Sequence, residues 1–597
     1  MTELFEPVGD HDWRIATGAS GLLATYNAAG VLTASDVHVA QRLGVLGGED
    51  DERVLLAVAL AVRAVRRGSV CLDLDTVAAT APELDRPDRD EWVPAIEASP
   101  LVAAGALRWE LGLLYLDRYH RLETQVHDDL EARLAQAPPD VDQARLEAAL
   151  ARVEAGHFSD EQRAAVVAAL RRRTTILTGG PGTGKTTTVA RLLTLLADQA
   201  GGRLAIALAA PTGKAATRLQ EAVASELAEV SRSWPEAPGL VGRLDGLTLH
   251  RLLGWRPDNA TRFRHDRGNR LKYDVVVVDE SSMVELTMMG RLLEALRPDC
   301  RLVLVGDPRQ LTSVGAGAAL SDLVAGFDAR PDSPVSALST NFRSEQDIKS
   351  LAEALRTGDA DTVLDVLCTP SDQVSWVDTS DETEVEAALR PESLAAARAV
   401  WAAATAEAPG RALEELDRHR LLCAHRDGPY GVRRWNQRIE RWLGEDPDVD
   451  LHGPGGGQWY VGRPLLVTSN DYALDVYNGE TGVVVRQGAR RRIFVAGSGR
   501  LKEFAPGRLD AVETMHAMTI HKSQGSQADR VTVLLPDEGS RLLTLELFYT
   551  AVTRARHHVR VVGSEAAVRA AVATRAQRAT GLRLRLSGRN TGATDRG

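Results

Sequence analysis

The sequence predicts an α/β protein with parallel sheets, and three observations carry that prediction. Short apolar runs, Leu204–Ala209, Asp274–Val278 and Leu302–Val305, recur between polar turns and alternate with helical patterns. Runs of this length suit strands covered on both faces of a parallel sheet. A glycine-rich loop, Gly179–Thr186, lies between a short apolar strand at Thr174–Thr178 and a helix at Thr187–Leu196 with apolar residues at helical spacing. A second α/β region starts near Thr340 and resumes near Met515, with Val531–Leu535 and Val559–Val562 as its clearest strands. Ligands of such sheets bind beyond the carboxyl ends of the strands, where the glycine loop and the pair Asp279–Glu280 both fall.

Bulk composition narrows the class. A chain of 597 residues is too long for one hydrophobic core, so about three or four domains are expected. Hydrophobic content of 44% and charged content of 26% are those of a soluble globular protein. Cys71, Cys300, Cys368 and Cys423 are far apart, which offers no zinc or iron–sulfur spacing and suits a reducing cytoplasm. Met1–Glu6 is acidic and does not read as a signal peptide, and no apolar run is long enough to cross a membrane. A net charge of −11 argues against a generally basic surface but leaves room for a local nucleic-acid channel. The C-terminal stretch is basic, with Arg554, Arg556, Arg560, Arg569, Arg575, Arg578, Arg583, Arg585 and Arg589, and reads plainly as a solvated tail.

The elements follow in order. Residues 1–135 are Ala-, Leu- and Val-rich at helical spacing, as at Val54–Val65, with Val70–Leu74 as a short strand and no catalytic constellation. Ala135–Val141 contains two prolines and reads as a linker. Residues 142–335 form the first α/β domain; 336–440 with 515–597 form the second; 441–514 form a small β-rich insertion around the glycine turn Gly453–Gly457 and the runs Pro464–Thr468 and Gly482–Val485.

Chemistry concentrates on loops. Gly179, Gly180, Pro181, Gly182, Thr183, Gly184, Lys185 and Thr186 fit G-x-x-x-x-G-K-[ST], the phosphate loop of nucleoside triphosphatases, and Thr187 follows. Backbone N–H groups and a helix N-terminus cradle phosphate there; Lys185 reaches the terminal phosphates and the Thr186 hydroxyl ligates Mg²⁺. Asp279 ends its strand where such enzymes hold Mg²⁺, and Glu280 can polarise the attacking water. Gln310, after the next strand, is positioned to sense the γ-phosphate. Arg343 and Arg554, from the second region, are candidates to stabilise charge on the transferring phosphoryl group, with surface ion pairs as the plain alternative. Gln162 either caps a helix with Ser159 or reads the adenine edge. Pro211, Thr212, Lys214, Thr248, His250, Thr519, His521 and Ser523 sit on loops at one sheet edge, a composition suited to phosphate and sugar contacts along a single strand.

The ordered set Gln162, Gly179–Thr186, Ala210–Leu219, Thr248–Gly254, Val276–Met283, Val305–Leu311, Thr340–Ser344, Met518–Ser526 and Tyr549–Arg556 resembles the motif series of superfamily 1 helicases. Leu421–Gly431, Trp459–Pro464, Asn470–Leu474, Tyr477–Gly479, Gly68–Leu74 and Leu114–Arg118 are similar to segments of one 1B family, the RecD subunits of RecBCD helicase–nucleases (exodeoxyribonuclease V). The resemblance implies two RecA-like motor domains, an SH3-like insertion in the second, and an N-terminal domain that docks onto a RecC-like subunit. It implies ATP- and Mg²⁺-dependent 5′→3′ movement on single-stranded DNA, beside RecB-like and RecC-like partners, in a complex that processes double-strand breaks. It makes Lys185, Thr186, Asp279, Glu280, Gln310, Arg343 and Arg554 the hydrolytic set, with the nuclease site in a partner. Leu311–Ser313 lacks the aromatics that many 3′→5′ relatives use for base stacking, which fits the 5′→3′ branch. Trp255, Tyr472, Tyr477 and Trp435 could stack on bases, although core packing is the plainer role for each. The rival readings are a free-standing 1B helicase, an RNA motor and a scaffold with a degenerate ATPase; intact motif residues oppose the last.

Overall fold

Six strands line up in parallel in the computed structural model, in the order Val335–Leu338, Thr174–Gly179, Arg301–Gly306, Val275–Val278, Ile206–Ala210, Gly246–Thr248. The structure describes residues 12–588 except 154–157, 203, 257–258, 313–314, 329, 341, 343–345, 452–456, 472, 498–499 and 577. Alternation within the strands divides their side chains between two cores. Ile176, Val276, Val278, Leu302 and Leu304 point into one, against the helices Asp117–Leu134, Leu286–Ala295 and Ala319–Phe327. Leu177, Val275, Val277, Val303 and Val305 point into the other, against Lys185–Gln199 and Gly213–Val230. Burial on both faces is why these strands read as unbroken apolar runs.

A second parallel sheet has the order Val374–Val377, Ala555–Val562, Ala528–Leu534, His419–Cys423, Ala517–Thr519. Between its last two strands in space the chain departs and returns. The excursion forms a five-stranded antiparallel sheet ordered Arg500–Phe504, Arg490–Gly497, Thr481–Gln487, Pro464–Val467, Val512–Thr514. Leu465, Val467, Val484, Ile493 and Val495 make its own core, while Leu466, Val483, Val485 and Phe494 face the second parallel sheet's core. Residues Val449, Leu451 and Tyr460 pack with Trp435 and Trp442 instead, so the first part of the expected 441–514 insertion belongs to the second sheet's covering. Asn436 fixes the return point: its amide donates to the Thr514 carbonyl at 2.9 Å and its oxygen accepts from the Ala517 N–H at 2.8 Å. Trp435 is core, paired with Trp442 at 6.2 Å between ring centroids. Of the expected glycine turn, residues 453–456 lie outside the described residues, as does Tyr472.

The N-terminal region is helical, with Glu52–Arg66 as its central buried helix. Val70–Leu74 does not form a strand. Leu72 makes a single antiparallel bridge to Leu114, and Leu74–Thr76 is a 3₁₀ turn capped by the Asp73 carboxylate. A hairpin absent from the sequence reading pairs Leu107–Glu110 with Leu113–Leu116. Leu111 and Gly112 both hold positive φ, 56° and 75°, the requirement of a tight two-residue hairpin turn.

The basic C-terminal stretch is not a free tail, and its last part does not stay with the second sheet. Residues 578–586 cross to the first, where Leu582 and Leu586 enter the core beside Leu323 and Phe327. The Val70 N–H donates to the Ala579 carbonyl at 2.8 Å, and Arg578 donates to the Gly315 carbonyl at 2.8 Å. Arg585 forks onto Glu110 at 3.0 and 2.7 Å and reaches Glu123 at 3.2 Å. Glu123 is fully buried and also accepts from the Tyr115 hydroxyl and the Gly581 N–H. Arg569 pairs with Asp361 and Glu565, and Arg589 lies outside the described residues. The run looked solvated because the carboxylates that neutralise Arg585 lie more than 460 residues away along the chain. Arg585→Ala strands the Glu123 carboxylate, and urea unfolding is expected to report a loss of about 3 kcal/mol. No helix among the described residues is long and apolar enough to cross a membrane.

Candidate functional site

The carboxyl ends of the first sheet's strands open into a cavity of about 1170 Å³, closed on its far side by the second parallel sheet. Gly182 and Gly184 hold φ of +83° and +78°, a conformation that suits glycine and turns the loop into the helix at Lys185. Lys185 Nζ donates to the carbonyls of Gly179 at 2.6 Å and Gly180 at 2.9 Å, so the ammonium is already folded over the loop. Burial pushes its pKa down, and the carboxylates of Asp307, Asp279 and Glu280 oppose that. Thr183 donates its hydroxyl to the Gly180 carbonyl at 2.9 Å. Pro181 and Thr186 line the cavity; Thr187 does too, but its hydroxyl is given to Glu226 at 2.8 Å.

Gln162 completes a capping box with Ser159 and donates its amide to the Thr183 carbonyl at 3.3 Å. Both ends of the amide are thus engaged with protein, at the cavity wall. A Cβ on Gly184 would lie 2.1 Å from Gln162 Nε2. Gly184→Ala is expected to cost about 1–2 kcal/mol of strain at this φ, to expel Gln162, and to raise the KM for nucleotide. Thermal melting and steady-state ATPase assays would measure the two effects, and an unchanged KM would separate Gln162 from nucleotide binding.

Asp279 and Glu280 leave the strand Val275–Val278, with Glu280 in the left-handed region at φ 50°. Burial pushes the Asp279 carboxyl up to about 6, the like charge of Glu280 adds to this, and Lys185 pulls it back. Gln310 lies across the cavity in a buried chain of hydrogen bonds. Tyr549 donates to Asp307 at 3.0 Å, Gln310 Nε2 donates to the same carboxylate at 3.2 Å, and Arg554 Nη2 donates to Gln310 Oε1 at 2.9 Å. Tyr549 and Arg554 come from the second sheet's helix Leu545–Val552 and the turn after it. Two backbone links run alongside: the Leu311 N–H donates to the Thr550 hydroxyl at 2.9 Å, and Gln524 donates to the Leu311 carbonyl at 2.6 Å. Arg554 therefore reaches the site, whereas Arg343 and Ser313 lie outside the described residues.

The loops expected to meet a nucleic-acid strand lie to one side. Thr212 caps the helix Gly213–Val230, and Thr248 caps Leu249–Leu253 with its hydroxyl. Pro211 is half-buried beside Thr212, and His250 leans on Phe263 with its pKa lowered by burial. Thr212, Lys214 and His521 share a second, smaller cavity. Thr519 accepts from the Lys522 N–H at 3.3 Å. Ser523 is buried and gives its hydroxyl to the Ile520 carbonyl at 2.7 Å, so in this conformation it holds the turn and presents nothing to a strand. Tyr477 is buried, with its Cβ about 3.0 Å from where a Cβ of Gly213 would lie and the Lys502 ammonium over its ring, 5.7 Å from the centroid.

Residues 28–165 match the family model of the N-terminal domain of the RecBCD enzyme subunit RecD, 162–316 match an AAA domain, and 514–562 match the UvrD-like helicase C-terminal domain. The RecBCD enzyme subunit RecD of Mycobacterium tuberculosis (strain H37Rv) is 53% identical over 591 residues, covering 97% of this chain and 99% of the relative. That of Mycolicibacterium smegmatis is 55% identical over 569 residues, covering 94% and 98%. The chain belongs to the RecD family. The ATP-dependent RecD2 DNA helicase of Deinococcus radiodurans is 31% identical over 503 residues, covering 83% of this chain and 60% of that protein.

In this RecD-family chain the structure adds three residues to the site that the sequence reading did not single out. Asp307 is the hub of the network between the two sheets, and Tyr549 supplies its hydroxyl from 242 residues away. Phe342 is 56% exposed at the cavity mouth, with its N–H donated to the Gly182 carbonyl at 2.9 Å. The segment before it is tied down as well: the Ser339 hydroxyl and the N–H groups of Ser339 and Thr340 hold the Glu161 carboxyl down to about 2. The available signal for Phe342 was an aromatic next to Arg343 in sequence.

Proposed function

We propose that this chain is the ATP-driven motor subunit of a RecBCD-type complex, a DNA helicase that moves 5′→3′ on single-stranded DNA to open and process double-strand break ends. The observation that carries the proposal is the buried chain Tyr549–Asp307–Gln310–Arg554, which joins the helix Leu545–Val552 and the turn after it to the loop that follows the first sheet's strand Arg301–Gly306, at the cavity that the phosphate loop also lines. A site built across two lobes can report occupancy of its γ-phosphate as a change of cleft geometry. Lys185 and the loop N–H groups would bind the phosphates, Glu280 would orient the attacking water, and Arg554 with Arg343 would meet the charge that develops on transfer. Phe342 offers its exposed face to the base. The hard oxygens of Thr186 and Asp279 on the cavity's edge suit Mg²⁺, which when bound neutralises phosphate charge.

In this reading 142–335 and the pair 336–440 with 515–577 are RecA-like motor domains, and the antiparallel excursion is their SH3-like insertion. Residues 1–135 dock a RecC-like subunit, a RecB-like subunit completes a cytoplasmic heterotrimer, and nuclease activity resides in a partner. A free-standing helicase is the second reading. It is favoured by the Deinococcus relative, but only 60% of that protein is matched, against 98–99% of the mycobacterial subunits.

Strand separation on duplexes with a single 5′ or 3′ tail tests the proposal, with the chain alone and assembled with its partner subunits. ATP-dependent opening from the 5′ tail only is the expected result. Opening from the 3′ tail would reverse the direction, and inactivity on both tails in the full assembly would remove the motor.

A further inference from the structure

The chain leaves the first sheet's lobe after the strand Val335–Leu338 and comes back to it after Ala576. The return is short and fastened at both ends. On the second lobe, the Leu545 N–H donates to the Thr574 carbonyl at 2.8 Å, and the Ala576 N–H donates to the Glu546 carboxylate at 2.9 Å. On the other side, Arg578 donates to the Gly315 carbonyl at 2.8 Å. The Ala579 N–H donates to the Ser69 hydroxyl at 3.2 Å, and the Ala579 carbonyl accepts from the Val70 N–H at 2.8 Å. Three peptide units separate Ala576 from Ala579, so these two anchors can never lie more than about 11 Å apart. A glycine makes room at each end. Gly358 and Gly68 hold φ of +77° and +89°, and a Cβ on them would lie 3.0 Å from the guanidinium of Arg575 and of Arg578 respectively.

The second-lobe anchor holds the first turn of the helix Leu545–Val552. The same helix, with the turn after it, carries Tyr549 and Arg554 into the nucleotide cavity, where they meet Asp307 and Gln310. The element that delivers Arg554 is therefore tied to the lobe that carries the phosphate loop, and the tie is the peptide chain itself. Hydrogen bonds between lobes break whenever the cleft opens. A covalent segment of fixed length does not, so it sets how far that helix can withdraw.

We propose that the segment from Thr574 to Ala579 is a positioning strap for Arg554, fastened by Glu546, which keeps the arginine within reach of the phosphate loop between turnovers. The inference rests on the motor reading and adds to it. Glu546 touches neither nucleotide nor strand and acts only through the helix it begins. Ser69 and Val70 extend the path into residues 1–135, so a subunit docked there acts on hydrolysis through the same strap.

Lengthening the strap tests this, because Gly-Ser-Gly-Ser inserted after Ala576 keeps every anchor and costs little stability. Thermal melting and a coupled ATPase assay with single-stranded DNA compare the full wild-type chain, the insertion, Glu546→Ala and Glu546→Gln. The insertion is expected to lower kcat on the order of tenfold, with melting temperature and nucleotide KM held. Glu546→Ala should lower kcat too, and Glu546→Gln, which keeps an acceptor for the Ala576 N–H, should restore it. Double electron–electron resonance on the nucleotide-free chain reads the strap without turnover. Spin labels on Cys368, the exposed cysteine of the second lobe, and on Glu221→Cys in the helix Gly213–Val230 should show a distance distribution that broadens on insertion. Wild-type kcat or an unbroadened distribution in the insertion variant would overturn the inference, as would equal losses in Glu546→Ala and Glu546→Gln. A wild type without ATP turnover, whose distribution still broadens on insertion, would strike the motor reading and leave the strap as a tether between lobes.

Discussion

Lys185→Ala is expected to lower ATP turnover on the order of 10³-fold and to abolish unwinding while the chain stays folded. The ammonium lies against the Gly179 and Gly180 carbonyls, where bound phosphate oxygens would take it over with little movement. Burial lowers its pKa, and Asp307, Asp279 and Glu280 oppose that shift. Without the ammonium these carboxylates repel a polyphosphate with no fixed cation between them. A coupled ATPase assay beside a nucleotide-binding titration separates lost chemistry from lost binding. A variant that kept more than a tenth of the wild-type rate would take the phosphate loop out of the mechanism.

Arg554→Ala is expected to cost about 10³-fold or more in kcat with a much smaller change in nucleotide KM. The guanidinium is buried, bonded to Gln310 Oε1 and the Thr550 carbonyl, and belongs to the lobe opposite the phosphate loop. In the proposed motor its contribution depends on closure around nucleotide, as for an interaction made mainly in the transition state. Lysine at this position keeps the charge but not the planar fork, so Arg554→Lys should rescue little. Loss of stability alone, with kcat intact, would make Arg554 a tie between lobes and nothing more.

The parallel sheets were legible because burial on both faces leaves a mark in composition: Val275–Val278 has no polar residue to expose. The phosphate loop was legible because its glycines answer a local backbone need at Gly182 and Gly184. Features closed by distant residues left no such mark. The hairpin Leu107–Leu116 has strands of four residues and too little alternation to register. The arginines near 585 carry no local sign of Glu110 and Glu123. Asp307 and Tyr549 look ordinary until the fold sets them 3.0 Å apart. Asn436 is a clasp for the returning chain and carries no local sign of it, because both backbone groups it satisfies lie about 80 residues downstream.

On the ribosome the first sheet emerges hundreds of residues before the segment that seals it. The Ala579 N–H meets the Ser69 hydroxyl across 510 residues. Closing so long a loop is not prohibitive, since each doubling adds only about 0.6 kcal/mol. The delay is the real burden. Until translation reaches the final helix, Glu123 waits without its arginine, and the core beside Phe327 lacks Leu582 and Leu586. The oldest part of the nascent protein is the last to be finished, and a chain that stops short of residue 578 leaves the first sheet's core without Leu582 and Leu586.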